Sequence, residues 1–268
     1  MEDTELLAAF EADMRRGPGA VPPGARLETD GPVVRVVASD RDGWSGVTWS
    51  QLDDAGAGAV IARQAEFFGD LGRSFEWKLY DHDQPPDLGD RLAAAGFGPD
   101  PAEAVLVAEA AAVFPAPLPG GLTLRTVASQ QDVAGLAALH HQVFGGDQER
   151  VRRARLAELQ AGAGRAVMLL VLSGEQPVSA ARVDFPPGGQ FAGLYSGGTL
   201  PGWRHRGIYR ALVGYRARLA AERGYRYLAV DATADSEPIL CRLGFRVIAG
   251  TTPYHWPWPA GGPVRPSA

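Results

Sequence analysis

The sequence predicts an α/β protein, more narrowly α+β, built as two domains in tandem, each a mixed sheet flanked by helices. Three observations carry this. Short runs with strand periodicity alternate with longer segments of helical periodicity, the pattern of a sheet covered by helices. The same order of elements occurs twice. Between the copies lies Phe114-Pro-Ala-Pro-Leu-Pro-Gly-Gly121, a stretch of linker composition stiffened by three prolines. The expected division is therefore a first domain over 1–114, a linker over 115–121 and a second domain over 122–268.

In the first half, Leu6, Leu7, Phe10 and Met14 share one face of a helix that ends before Gly17. Residues 33–37 and 44–49 read as strands. Asp53 is placed to cap a helix running to Gly69, with Val60, Ile61, Ala65 and Phe68 among its apolar residues. Phe75, Trp77 and Leu79 alternate with Glu76, Lys78 and Tyr80, the pattern of a strand with one buried face. Leu88, Leu92 and Ala95 form a helix stopped by Gly96, and a further strand covers 105–112.

The second half opens with a strand at 122–127, followed by helices at 132–144 and 148–161. A hairpin joins 166–172 to 178–185, turning at 173–177. A buried strand at 191–200 leads through a basic turn to a helix from Gly207 to Arg223, on which Ile208, Ala211, Leu212, Tyr215 and Leu219 recur at helical spacing. A strand from Tyr227 and a short helix from Ser236 complete the order. Leu92-Ala-Ala-Ala-Gly-Phe97 mirrors Leu240-Cys-Arg-Leu-Gly-Phe245, a weak internal duplication.

Composition narrows the partners. The 268 residues are 46% hydrophobic and 21% charged, with a net charge of −5, which describes an ordinary globular chain and gives no reason to expect nucleic acid. One cysteine excludes an intrachain disulfide and suits a reducing compartment. No apolar run approaches the ~20 residues of a membrane span, so the expectation is a cytoplasmic protein without a membrane partner. His140 and His141 are adjacent on a helix and point about 100° apart. They cannot face one ion together, and no metal is expected. Cys241, among Ile239, Leu240 and Leu243, is expected to fill core.

The exception to the acidic balance is Arg204-His205-Arg206 before Gly207. Strand, glycine turn and helix in that order bring unpaired backbone N–H groups and the positive end of the helix dipole to one point, which binds phosphate. Gly207 is expected to be glycine because a side chain would hold an anion off the backbone, and the arginines add charge-assisted bonds.

Arg204-x-x-Gly207-x-Tyr209 resembles the pyrophosphate loop of the GCN5-related N-acetyltransferases. The resemblance is good from Leu122 to about Trp258 and only architectural before Pro115. It implies two domains of that family's mixed, mostly antiparallel sheet, the first degenerate because Gln51, Asp53 and Asp54 replace the basic turn. It implies acetyl-CoA as co-substrate, held by Gly198, Thr199, Leu200, Arg204, His205, Arg206, Gly207, Ile208 and Tyr209. The reaction implied is direct transfer to a primary amine of a small molecule or peptide. A non-catalytic acyl-CoA-binding module is the alternative, and monomer and homodimer both stay open. Two positions depart from the family pattern. Tyr209 stands where a small residue is usual, so its side chain must turn away from the phosphates. Leu240 stands where many members carry a proton-donating tyrosine. Tyr195 and Asp184, where the central strands open, are the candidates for proton transfer. His140, Glu76 and Tyr80 are candidates for contact with the acceptor, and Trp256 and Trp258 for shielding it.

Overall fold

The computed structural model describes residues 2–17, 19, 21, 22, 24–39, 43–162 and 164–257; Trp258 lies outside them. The chain falls into two compact units. One takes the chain up to Val105 and the last strand from Val247, the other Leu106–Arg246. The final strand thus does not stay with the half that precedes it, and residues 115–121 fall within the second unit rather than between units.

The first unit begins with α1 (Asp3–Phe10), continued by a π-helical turn at Glu11–Arg15. Leu6, Phe10 and Met14 are buried, as their spacing requires. Then come β1 (Arg26–Asp30), β2 (Val33–Val37), β3 (Gly46–Ser50), α2 (Ala57–Asp70), β4 (Phe75–Tyr80), α3 (Leu88–Ala94) and β5 (Gly98–Pro99). β6 (Glu103–Glu109) carries the chain into the second unit. β1 is absent from the sequence reading: Arg-Leu-Glu-Thr-Asp carries one apolar side chain and lies half-exposed. Its pairing with β2, not its own periodicity, makes it a strand. α2 starts four residues after Asp53, whose carboxylate instead closes a turn by accepting from the Gly56 N–H at 2.6 Å.

The second unit contains β7 (Leu122–Thr126), α4 (Gln130–Phe144), α5 (Gln148–Ala161), β8 (Ala166–Ser173), β9 (Gln176–Asp184), β10 (Phe191–Thr199), α6 (Ile208–Glu222), β11 (Tyr227–Ala232) and α7 (Glu237–Arg242), after which β12 (Arg246–Trp256) returns to the first unit. β7, β8, β9 and β10 pair antiparallel in that order, and β10 pairs β11 in parallel. α4 is fixed at its start by a capping box between Ser129 and Asp132, and α5 by the Asp147 carboxylate. One face of the sheet buries Leu170, Leu172 and Ala180 with Val133, Leu136 and Leu139 of α4; Leu169, Val171 and Val178 pack with Ile208 and Leu212 of α6. On α7, Leu240 is fully buried but Cys241 is exposed, which corrects the expectation that Cys241 fills core. Consecutive helical residues diverge by 100°, and this six-residue helix buries only the face that Leu240 occupies.

In the first unit β1, β2 and β3 are antiparallel, β3 and β4 parallel, and β4 and β12 antiparallel. Each unit therefore has a mixed, mostly antiparallel sheet with helices packed on it. Phe68, Phe75, Trp77, Leu88, Leu92 and Phe97 form the first core, with Trp256 of β12 packed against it.

Candidate active site

The central feature of the second unit is where β10 leaves its neighbour. β10 pairs with β11 only at Phe191–Tyr227, Ala192–Leu228 and Gly193–Ala229, after which the register ends. On its other side β10 stays with β9 but bulges: Tyr195 lies opposite Arg182 and Gly198 opposite Ala180, so one extra residue is carried on β10. Ser196 takes a φ of +50°, an unusual conformation for a residue with a side chain. From residue 194 onward the strand offers backbone polar groups toward β11 that β11 does not take. α4 crosses the bulged end closely. A Cβ on Gly198 would meet the Val143 and Phe144 side chains at 2.8–2.9 Å, so only glycine allows this packing.

A single turn of 3₁₀ helix at Pro201–Trp203 follows β10, and α6 begins at Ile208. Arg204, His205, Arg206 and Gly207 are exposed. Arg204 donates through Nε to the Thr199 carbonyl at 3.1 Å, and the Arg206 guanidinium lies 4.6 Å over the Trp203 ring. Gly207 is the N-cap at φ +86°, and a Cβ there would meet nothing within 4 Å. The backbone itself therefore favours glycine here, since a left-handed L-residue costs about 1–2 kcal/mol. Tyr209 is half-buried with its ring against Gly197, turned toward the strand and away from the exposed turn.

Below the bulge lies Arg216 of α6, 2% exposed. It donates to the Arg182 carbonyl at 3.1 Å and the Leu212 carbonyl at 3.2 Å, with no ion pair among the described residues. Burial pulls its pKa down to about 10, partly opposed by Tyr209, so it remains a cation at neutral pH. Burial likewise pushes the Tyr209 hydroxyl up, against the pull of Arg216.

On the α4 side, a cavity of about 50 Å³ is lined by His140, Phe144, Arg155, Arg182 and Ser196, with Leu136, Met168 and Ala181 behind them. Its charged wall is an internally satisfied cluster. Glu158 accepts from Arg182 Nη1 at 2.6 Å and from Arg155 Nη1 at 2.8 Å, while Arg182 also forks onto Asp184. Burial, and then the Asp184 charge, push Glu158 up to about 8. The two guanidiniums on its oxygens act the other way, and these contacts favour the ionised form. Asp184 is pushed up by burial and pulled down by Arg182. His140 lies 4.8 Å from the Phe144 ring, and its Nδ1 is buried without a hydrogen-bond partner. Burial first, and His141 second, lower its pKa.

The sequence matches no family model and no curated protein. Solved structures match along nearly the whole chain. A GCN5-related N-acetyltransferase from Kribbella flavida is 18% identical, covers 94% of this chain and 93% of its own, and superposes with a TM-score of 0.66. A GCN5-related N-acetyltransferase from Sphaerobacter thermophilus is 16% identical over 99% and 86%, with a TM-score of 0.59. A tandem protein of the same fold from the clavulanic acid biosynthesis pathway is 15% identical over 92% and 86%, also at 0.59. The fold is that of the GCN5-related N-acetyltransferases.

Within that fold the remaining expected residues have identifiable places. Tyr195 lies on β10 with its ring over Gly193, and Asp184 lies at the end of β9, held by Arg182. Glu76 and Tyr80 belong to the first unit. Glu76 accepts from Trp44 Nε1 at 3.0 Å. Tyr80, expected on an exposed face, is 4% exposed with the Arg15 guanidinium 3.8 Å from its ring centroid. Arg15 donates to both Asp83 oxygens at 2.8 and 2.9 Å and to Glu11. Glu11, His82 and Asp83 have ligand atoms within 4.8 Å of one another, a grouping invisible in the sequence, with this arginine among them. The turn ahead of α2 is acidic where the turn ahead of α6 is basic. Asp53 closes the Gly56 turn, and Arg91 bridges Asp54 and Asp87. Arg216, Glu158 and Arg182 escaped the sequence reading. For Arg216 a signal exists: it falls four residues after Leu212 and eight after Ile208, on the apolar face of α6.

Proposed function

We propose that the second unit transfers an acetyl group from acetyl-CoA directly to a primary amine of a small molecule or peptide. The observation that carries this is the coincidence, at one end of β10, of a strand that parts from β11 and an exposed basic turn capped by left-handed Gly207. The residues suit the coenzyme. A pyrophosphate asks for N–H donors and positive charge; the first turn of α6 has N–H groups without helical acceptors, and Arg204 and Arg206 stand at its rim. The open backbone around Gly198, Thr199 and Leu200 offers an extended chain the pairing that β11 leaves unused. When bound, acetyl-CoA supplies the thioester. No helix among the described residues is long and apolar enough to cross a membrane. A cytoplasmic place fits a coenzyme of that compartment and the exposed thiol of Cys241.

A specific observation supports the non-catalytic alternative: Leu240 is fully buried and cannot serve as a proton donor to a leaving thiolate. Release of free CoA on mixing acetyl-CoA with a panel of primary amines separates the two readings. For the coenzyme site, titration calorimetry with CoA is the test. Arg204→Ala should weaken binding by about 1.5–3 kcal/mol, one charge-assisted hydrogen bond. Gly207→Val should abolish binding and also lower stability. Gly207→Asn, which tolerates the left-handed conformation, should keep the stability while still losing affinity. Unchanged CoA affinity in both Gly207 variants would end the phosphate-turn reading.

A further inference from the structure

We propose that the acyl site extends past acetyl: the cavity beneath the bulge of β10 takes the alkyl chain of a propionyl- or butyryl-CoA donor. This rests on the acyl-transfer reading above and deepens it by naming the class of donor. Three residues join the cavity to the strand end proposed to pair with the coenzyme's extended arm. Ser196, in the bulge itself, is part of the cavity wall. Ala180, also in the wall, is the residue of β9 that lies opposite Gly198. Phe144, a third wall residue, is the side chain that a Cβ on Gly198 would meet at 2.8 Å. An acyl group at the end of an arm running along Gly198 therefore has the cavity beside it.

Volume and walls suit a short alkyl chain. Protein interiors pack closely enough that voids larger than a water are few, and an empty void destabilises in proportion to its volume. Here the small residues on the sheet side, Ala180 and Ser196, leave a hollow that Leu136, Leu139 and Phe144 of α4 do not fill. Its volume of about 50 Å³ holds roughly three or four water-sized groups, enough for the carbons of a butyryl chain beyond its carbonyl. Ionic groups do not compete for this space. Arg155 and Arg182, the guanidiniums of the wall, are held by Glu158 and Asp184. A carboxylate would find those guanidiniums engaged, and an amine arriving as ammonium would find the carboxylates engaged. A charge brought in without a partner is costly, whereas a methylene gains by leaving water. The acyl chain is the part of the substrates that brings no charge.

The test uses S-alkyl thioethers of CoA, in which a methylene replaces the reacting carbonyl and nothing can be transferred. Titration calorimetry on the full-length chain compares CoA with its S-ethyl, S-propyl, S-butyl and S-hexyl thioethers. Affinity should rise roughly fourfold per methylene from ethyl to butyl, the gain from moving that alkyl surface out of water. It should gain nothing further at hexyl, whose chain outgrows the cavity. Ala180→Leu, or Ala180→Val should the leucine variant fold poorly, should cancel the rise while affinity for CoA itself stays within threefold. An affinity flat from ethyl to butyl, or a rise that survives the Ala180 substitution, overturns the proposal. So does a rise that follows the amine instead, from methylamine to n-butylamine in the presence of S-ethyl-CoA, since the cavity then belongs to the acceptor. Failure of CoA itself to bind ends the acyl-transfer reading and this proposal together, whereas CoA binding with a flat thioether series ends this proposal alone.

Discussion

Arg216 holds a full charge in the interior because the bulge of β10 creates a need for it. The extra residue on β10 interrupts the ladder at Arg182, and the freed carbonyl of that residue receives the Arg216 Nη1 proton. An unpaired buried carbonyl costs about 1–3 kcal/mol, against which stands the desolvation of the guanidinium. The glutamine of Arg216→Gln is too short to reach that carbonyl. The variant should lose about 1–3 kcal/mol in urea unfolding and bind CoA less tightly, because the bulge relaxes; equal stability and equal affinity would refute this role. Residues of this kind mark the limit of sequence reading. Gly207 was legible because turn chemistry is local: the glycine, its arginines and the helix behind it lie within four positions. Arg216 and Arg182 are 34 positions apart, and Glu158 is 24 from Arg182, so neither contact leaves a periodic trace.

Most elements were legible for the same reason of locality. Apolar spacing located α4, α5, β8, β9, β10 and α6 to within a few residues, because each buries one face against the sheet. β1 and the start of α2 were not, since one is a polar edge strand and the other begins after an Asx turn. α4 shows how an element's start bears on the site, for it carries His140. Burial alone would raise the Asp132 carboxyl of its capping box. Hydrogen bonds from the Ser129 hydroxyl, the Ala128 and Ser129 N–H groups and Arg125 more than offset this and hold it below its usual 3.8. A carboxyl lowered on folding contributes stability that is fully present above the unfolded value and is lost as pH falls through the folded one. Asp132→Asn should therefore be less stable than wild type at pH 6, with the gap closing below about pH 4. Ser129→Ala should cost about 1 kcal/mol. Urea titrations between pH 3 and 7 check both, and a gap that stays constant with pH would contradict the assignment.

For the whole molecule, the repeat in the sequence marked two halves, but the strands that end them do not stay at home. β6 passes into the second unit, where the Ala110 N–H donates to the Arg226 carbonyl, and β12 completes the first by pairing with β4. β12 is tied there through Gly250 N–H to Asp81 at 2.8 Å, Thr251 to the Leu79 carbonyl at 2.9 Å and His255 to Asp100 at 2.7 Å. Ending the chain after Gly244 should thus cost amide protection across β4 of the first unit, measured by hydrogen exchange. Protection of Phe75–Tyr80 at the full-length level would show β12 to be dispensable. The two units also differ in what their turns offer. The second has exposed arginines before left-handed Gly207, whereas the first has carboxylates at Asp53 and Asp54 that would repel a pyrophosphate. Calorimetric titration of the full-length chain with CoA tests this most directly: the expected result is one site per chain, lost in Gly207→Val. Two equivalent sites, or binding that survives that substitution, would contradict it.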